Sequence, residues 1–186
     1  MQTDRHIYKR GSAPTLSNVL QHVFTVELLR PSDMLWLVSP WISDLEVVNN
    51  SNYGFQHVAP EWPLGGVRLS TVLATLLERQ VTIHVVTRPL PPAYRRQESH
   101  KVTQRFLQEL DRQAPPDAKL HINRELDDAH EHSKGLLTDY LFIHGSMNFT
   151  FHGVHINGEH VRLTRDLDEI SSAFVAFADR WGAPAA

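Results

Sequence analysis

The chain has 186 residues, 41% hydrophobic and 21% charged, with no low-complexity tract, which predicts one folded domain over residues 1–186. It has no cysteine, so disulfides and thiolate metal sites are excluded. A formal charge of −3 also excludes the general basic surplus of a nonspecific nucleic-acid binder, so any polyanion-binding surface has to be local.

Residues 1–13 read as a loosely ordered polar lead. They lack the apolar core of a signal peptide, and no apolar run is long enough to span a bilayer, so a cytoplasmic location without membrane contact is expected. Thr15 or Ser17 is suited to cap a helix running to about residue 30, with Leu16, Val19, Leu20, Val23, Phe24 and Leu28 on its apolar side and Pro31 as its stop. Met34 to Trp41 (MLWLVSPW) predicts a short buried strand. Residues 43–66 carry Asn, Gly and Pro punctuation without a sustained period, which reads as a long loop.

Leu69, Val72, Leu73, Leu76 and Leu77 mark an amphipathic helix, followed by a strand from Val81 to Val86. A proline-rich loop comes next, flanked by Arg88, Arg95, Arg96 and Lys101. It is a candidate contact for a phosphate backbone, and a plain solvated loop is the competing reading. Val102, Phe106, Leu107 and Leu110 predict a third helix ending before Pro115, and KLHIN (Lys119 to Asn123) a further strand. Near the end, His160 to Thr164 reads as a strand. Asp166 reads as the cap of a last helix that buries Ile170, Phe174, Phe177 and Trp181. Helices alternating with apolar strands predict an α/β fold, a mixed β-sheet sandwiched between helices. No internal repeat is visible.

The chemistry concentrates between these last two strand signals, in HSKGLLTDYLFIHGSMNFTFHGVHINGE, from His132 to Glu159. An imidazole (His132), a fixed cation (Lys134) and small hydroxyl and amide groups (Ser146, Asn148) are what an attack on a phosphodiester needs. The imidazole forms a covalent phosphoryl intermediate or moves a proton, and the donors hold the anionic oxygens. No acidic cluster accompanies them, so a metal–carboxylate mechanism is not indicated. His130, His144, His152, His155 and His160 crowd the same region. A zinc site there lacks a tetrahedral set of recognisable spacing, and no metal is assigned.

HSKGLLTD followed by GSMNFT and NGE resembles the HxK–D–GSxN signature of the phospholipase D superfamily, particularly its small single-motif nucleases. The close match covers residues 130–163; the rest agrees in layout. The resemblance implies the same layered fold and a metal-independent phosphodiesterase without a cofactor, working through phosphohistidine on His132. It implies that Lys134 binds the substrate phosphate, that Ser146 and Asn148 complete the phosphate cradle, and that Glu159 orients His132. Asp139 and Gly145 read as structural. Because the family's sites use two His–Lys motifs and this chain has one, the resemblance implies a homodimer with one shared site. Nucleic acid, foremost DNA, is the favoured substrate. The competing reading is a non-catalytic nucleic-acid-binding or scaffolding subunit within a bacterial-type DNA-processing or defence assembly.

One departure from the family pattern concerns geometry. The family usually places six residues between the motif Asp and the Gly-Ser, and here there are five, Tyr140 to His144. Opposed residues of a hairpin share a face. A two-residue turn at Asp139-Tyr140 would put His132 opposite Met147, sending Ser146 and Asn148 to the wrong side. A three-residue loop, Thr138 to Tyr140, instead pairs Leu137 with Leu141, Lys134 with His144 and His132 with Ser146, and this register is expected on chemical grounds.

Overall fold

The computed structural model describes residues 4–8, 15–89, 97–126, 134–156 and 159–182. Nine strands and four α-helices follow the chain in the order β1 (Asp4–Tyr8), α1 (Thr15–Leu29), β2 (Met34–Val38), β3 (Glu46–Asn49), β4 (Gly66–Arg68), α2 (Leu69–Glu78), β5 (Thr82–Val86), α3 (Glu98–Gln113), β6 (Leu120–Asn123), β7 (Gly135–Thr138), β8 (Leu141–Gly145), β9 (His160–Thr164) and α4 (Leu167–Trp181) among the described residues. A π-helical turn, His152–Ile156, lies between β8 and β9.

Seven strands form one mixed sheet in the order β1-β9-β8-β7-β2-β5-β6, with β2, β5 and β6 parallel. The alternation of side chains divides it into two cores. Leu35 and Leu37 of β2, Leu136 of β7 and Ile143 of β8 face the large core, which is filled by the apolar stripes of α1, α2 and α3. Trp36, Val38, Val86 and Leu137 face the opposite side, where Ile170 and Trp181 of α4 cover them. The expected α/β sandwich is therefore the observed one. Asp166 caps α4 as its position predicts, accepting from the N–H groups of Asp168 and Glu169 at 3.0 and 3.1 Å. No described helix is long and apolar enough to cross a membrane.

Three local expectations are overturned. Residues 4–8 belong to no loose lead: they form an edge strand on β9, with Ile7 buried in the large core and Asp4 bonded to Arg162 and Thr164. A single buried apolar residue leaves no period to read. Within residues 43–66, β3 pairs with β4 as a small separate hairpin whose Val47, Val48 and Val67 are buried. Strand signals of four and three residues fall below what alternation can resolve.

The third correction is the β7–β8 register. Thr138 pairs with Leu141, Leu137 with Phe142, Leu136 with Ile143 and Gly135 with His144, so the turn has two residues, Asp139 and Tyr140, instead of three. The expected pairings of Leu137 with Leu141 and of Lys134 with His144 do not occur. Tertiary contacts decide the matter. The Asp139 carboxylate accepts the Asp33 N–H at 2.7 Å, the Asp139 N–H donates to Ser32 Oγ at 3.1 Å, and the Arg30 guanidinium lies 4.6 Å from the centre of the Tyr140 ring. The loop between α1 and β2 thus clamps the turn in its tightest form.

Candidate active site

Strands β2, β5, β6 and β8 all end at one edge of the main sheet, and β7 and β9 begin there. The carboxyl ends of parallel strands are where open α/β sheets place their ligands. Lys134, Ser146, Asn148 and Glu159 all lie at this edge, because each sits just outside the end of β7, β8 or β9. His132, the expected nucleophile, lies outside the described residues, as do Arg95, Arg96 and His130.

Gly145 is the pivot of the edge. Its φ of +151° is a conformation L side chains rarely adopt, and a Cβ there would strike the backbone of His160 and Val161. Glycine lets β8 press against β9 and change direction at that point. Just beyond it, Ser146 Oγ donates to Glu159 Oε2 at 2.5 Å and accepts the His160 N–H at 3.0 Å. Glu159 is only 8% exposed, so its carboxylate is both desolvated and held in place. Met147 turns into the large core, and Phe149 is anchored by its N–H to Ser39 Oγ at 3.2 Å.

Between them stands Asn148, whose Oδ1 is buried without a hydrogen-bond partner among the described residues. A buried amide left unmatched costs about 1–3 kcal/mol and marks a place where a ligand completes the bonding. The oxygen and nitrogen of an amide exchange by rotation, so the group offers a donor or an acceptor.

Lys134 is half-buried against Gly145, Met147 and Phe149. Among the described residues it makes no hydrogen bond to Ser146, Asn148 or Glu159. The observed register pairs Gly135 with His144, so Lys134 reaches the site by its position at the strand end and not by sharing a rung with His144. His144 itself stacks on Phe142 on the α4 side, at 4.6 Å, instead of standing opposite Lys134. Burial holds its imidazole below the ordinary histidine range, and Arg162 adds to the effect.

Asp139 is at the far end of the hairpin, in the clamped turn. The four residues of β7 separate it from Lys134, five steps or roughly 16 Å at 3.3 Å per residue. Arg88, at the end of β5, lies with its guanidinium 5.1 Å from the centre of the Trp41 ring, on the same sheet edge as Lys134. Lys101 is in the first turn of α3, outside the loop, and pairs with Glu98 at 3.6 Å. Among the described residues no three His, Asp or Glu side chains are grouped as a metal site requires.

Sequence reading missed Ser39 and Trp41. The expected strand ran through both residues; the observed β2 ends at Val38, so they lie just past the carboxyl end of a parallel strand, where ligand-facing residues concentrate.

No protein-family model and no curated protein matches the sequence. Solved structures do match in shape. NucT from Helicobacter pylori superposes with a TM-score of 0.56 at 9% identity, covering 95% of this chain and 93% of that one. Nuc from Salmonella typhimurium, a phospholipase D family member, gives 0.58 at 14% identity over 96% and 93%. Polyphosphate kinase from Porphyromonas gingivalis gives 0.61 at 11% identity over 98% of this chain and 26% of the kinase. The two first proteins are matched over nearly their whole length by a chain with the same layered mixed sheet. By its architecture, this chain has the phospholipase D-like fold.

Proposed function

We propose that this chain is a metal-independent phosphodiesterase acting on nucleic acid, foremost DNA, with one active site shared by two copies. The observation that carries the reading is the buried amide oxygen of Asn148, unpartnered among the described residues, near the Ser146–Glu159 pair on the edge that also holds Lys134. The fold shared with Nuc and NucT supports it.

In the proposed reaction a ring nitrogen of His132 attacks phosphorus while the bond to the leaving oxygen breaks. The His132 of the second chain, protonated, donates to that oxygen. The same second imidazole then takes a proton from water, whose oxygen attacks phosphorus and releases His132. Lys134 and the Asn148 amide stabilise the charge on the non-bridging oxygens. Glu159 has Oε2 engaged by Ser146, and among the described residues its Oε1 accepts no hydrogen bond, which suits it to hold the His132 ring N–H. Ser146 acts through Glu159 in this scheme, since its one proton is committed to that carboxylate.

The test is turnover of bis(p-nitrophenyl) phosphate in EDTA, with a bell-shaped pH profile expected because one imidazole must be neutral and the other protonated. Loss in EDTA with recovery on adding one divalent metal refutes the mechanism. Binding of nucleic acid without any turnover supports the non-catalytic subunit instead. Sharing of the site is tested by mixing wild-type and His132→Ala chains to full exchange. Activity then falls as the square of the wild-type fraction, whereas a straight-line fall gives each chain its own site.

A further inference from the structure

The segment between Asn148 and the π-helical turn carries a large aromatic that the core does not use. Phe151 is 54% exposed, although Phe149, two residues earlier, is 1% exposed. Its ring stands 4.7 Å from that of His155 at a tilt of 33°, with the edge of His152 at 6.1 Å. The backbone beneath is held from three sides. The Phe151 N–H donates to Ser43 Oγ at 3.1 Å, the Ser43 N–H donates to the Phe149 carbonyl at 2.8 Å, and the Gly153 N–H donates to Thr150 Oγ1 at 3.2 Å. Gly153 packs so closely on the backbone of Asn148 that any side chain there would collide with it. The exposed ring is thus fixed rigidly to the residue with the unpartnered amide.

Phe151 and His155 also form one end of a groove of about 1210 Å³. Its charges are Arg68, Arg105 and Arg112 against Asp44, Glu46 and Glu109. The acids are largely engaged within the protein. Asp44 accepts from the N–H and hydroxyl of Ser70, Glu109 accepts from Arg112 and Gln113, and Glu46 stands opposite Arg68 in the β3–β4 ladder. Among the described residues Arg105 has one ion pair, to Glu98 at 3.9 Å with both side chains 70% exposed, so its charge is available to a polyanion.

From this geometry we infer that Phe151, flanked by His155, is a stacking subsite for one nucleobase of a single-stranded substrate, next to the phosphate held at Asn148. The inference rests on the nucleic-acid reading above. A flat aromatic binds any base by its π-face, and that face is free only where the strand is unpaired, since both faces are stacked in a duplex. Arg105 lies where the strand's neighbouring phosphates run into the groove.

The test uses short fluorescein-labelled oligothymidylates and the full chain carrying His132→Ala to prevent cleavage. A scan that removes one base at a time should find one position where its loss weakens binding about 5- to 100-fold. Adding Phe151→Ala should weaken the intact strand by the same factor. Removing that base should then cost less than twofold more, and Phe151→Trp should keep the discrimination. The inference is overturned if Phe151→Ala binds the intact strand like its parent, if the base scan is unchanged by it, or if light scattering shows that it dissociates a dimer, which would make Phe151 an interface residue. The bis(p-nitrophenyl) phosphate assay separates the two claims: wild-type protein that turns over no diester removes the catalytic reading, while the binding cycle still decides the subsite.

Discussion

The two ends of the β7–β8 hairpin are built on opposite principles. At the turn, polar groups are tied together in a chain of hydrogen bonds. Asp139 is bonded to Asp33 and Ser32, and Ser32 in turn bonds both oxygens of the fully buried Glu27 at 3.0 and 3.1 Å. At the other end Gly145 adopts a φ that only glycine takes readily, Asn148 keeps a buried oxygen unpaired among the described residues, and the Lys134 ammonium makes no hydrogen bond to Ser146, Asn148 or Glu159. A few strand residues, themselves buried, join the two. The difference teaches that one continuous motif is divided by the width of a sheet into a tightly bonded turn and an edge that leaves a buried polar atom unmatched among the described residues.

Cutting each end separately sharpens this contrast. The largest effect is expected from Lys134→Ala, which should lower kcat/KM about 100- to 1000-fold, the usual result of removing one charge-stabilising donor, with little change in thermal stability. A large fall in Tm with unchanged kcat/KM would make Lys134 a structural residue. Next is Gly145→Ala, which forces a side chain into both a disfavoured φ and the backbone of β9. We expect a loss of about 3 kcal/mol or more in urea denaturation, together with activity. A stable, active variant would show that the edge relaxes easily and that the strain has no role.

Away from the site, two buried groups give stability opposite pH dependences. His84 is stacked between Trp36 at 3.9 Å and His121 at 4.6 Å, and burial, with His121 adding, lowers its pKa to about 4. The unfolded chain therefore binds the proton first, so this contribution is complete above about pH 6.5 and is lost as the pH falls toward 4, at most about 3 kcal/mol. Glu27 has the reverse sign. Burial raises its pKa, so its contribution is present below the ordinary glutamate range and is lost as the pH rises through the folded value. Urea midpoints between pH 4 and 8 should show His84→Phe flattening the loss on the acid side and Glu27→Gln flattening the loss as the pH rises above the glutamate range. An unchanged acid limb in His84→Phe would mean that the histidine is protonated inside the fold.

The smallest effect belongs to the turn. Asp139→Ala should cost about 1 kcal/mol through the lost Asp33 bond and leave kcat/KM of the folded protein unaltered. A loss of activity without a loss of stability would undo the division between the two ends.

What could be read without coordinates was whatever depends on near neighbours in the chain. The stripes of α1, α2 and α3, the cap at Asp166, the buried strands β2 and β5, and the grouping of Lys134, Ser146, Asn148 and Glu159 in one short segment all follow from local spacing and residue chemistry. Ile7 alone could not announce β1, because one apolar residue has no period, and β3 and β4 are too short to alternate visibly. The turn size went the other way from the chemical expectation, because Ser32, Asp33 and Arg30 grip Asp139 and Tyr140 from more than a hundred residues away. The bond between Ser146 and Glu159, the unpartnered amide of Asn148 and the exposed ring of Phe151 are likewise outcomes of β8 meeting β9 at Gly145 and of Ser39 and Ser43 holding the segment after it. Local spacing determined which candidate residues fall together in one segment and on which elements the described ones stand. Only the tertiary structure decided which of them touch, because register and edge position are settled by contacts between segments distant along the chain.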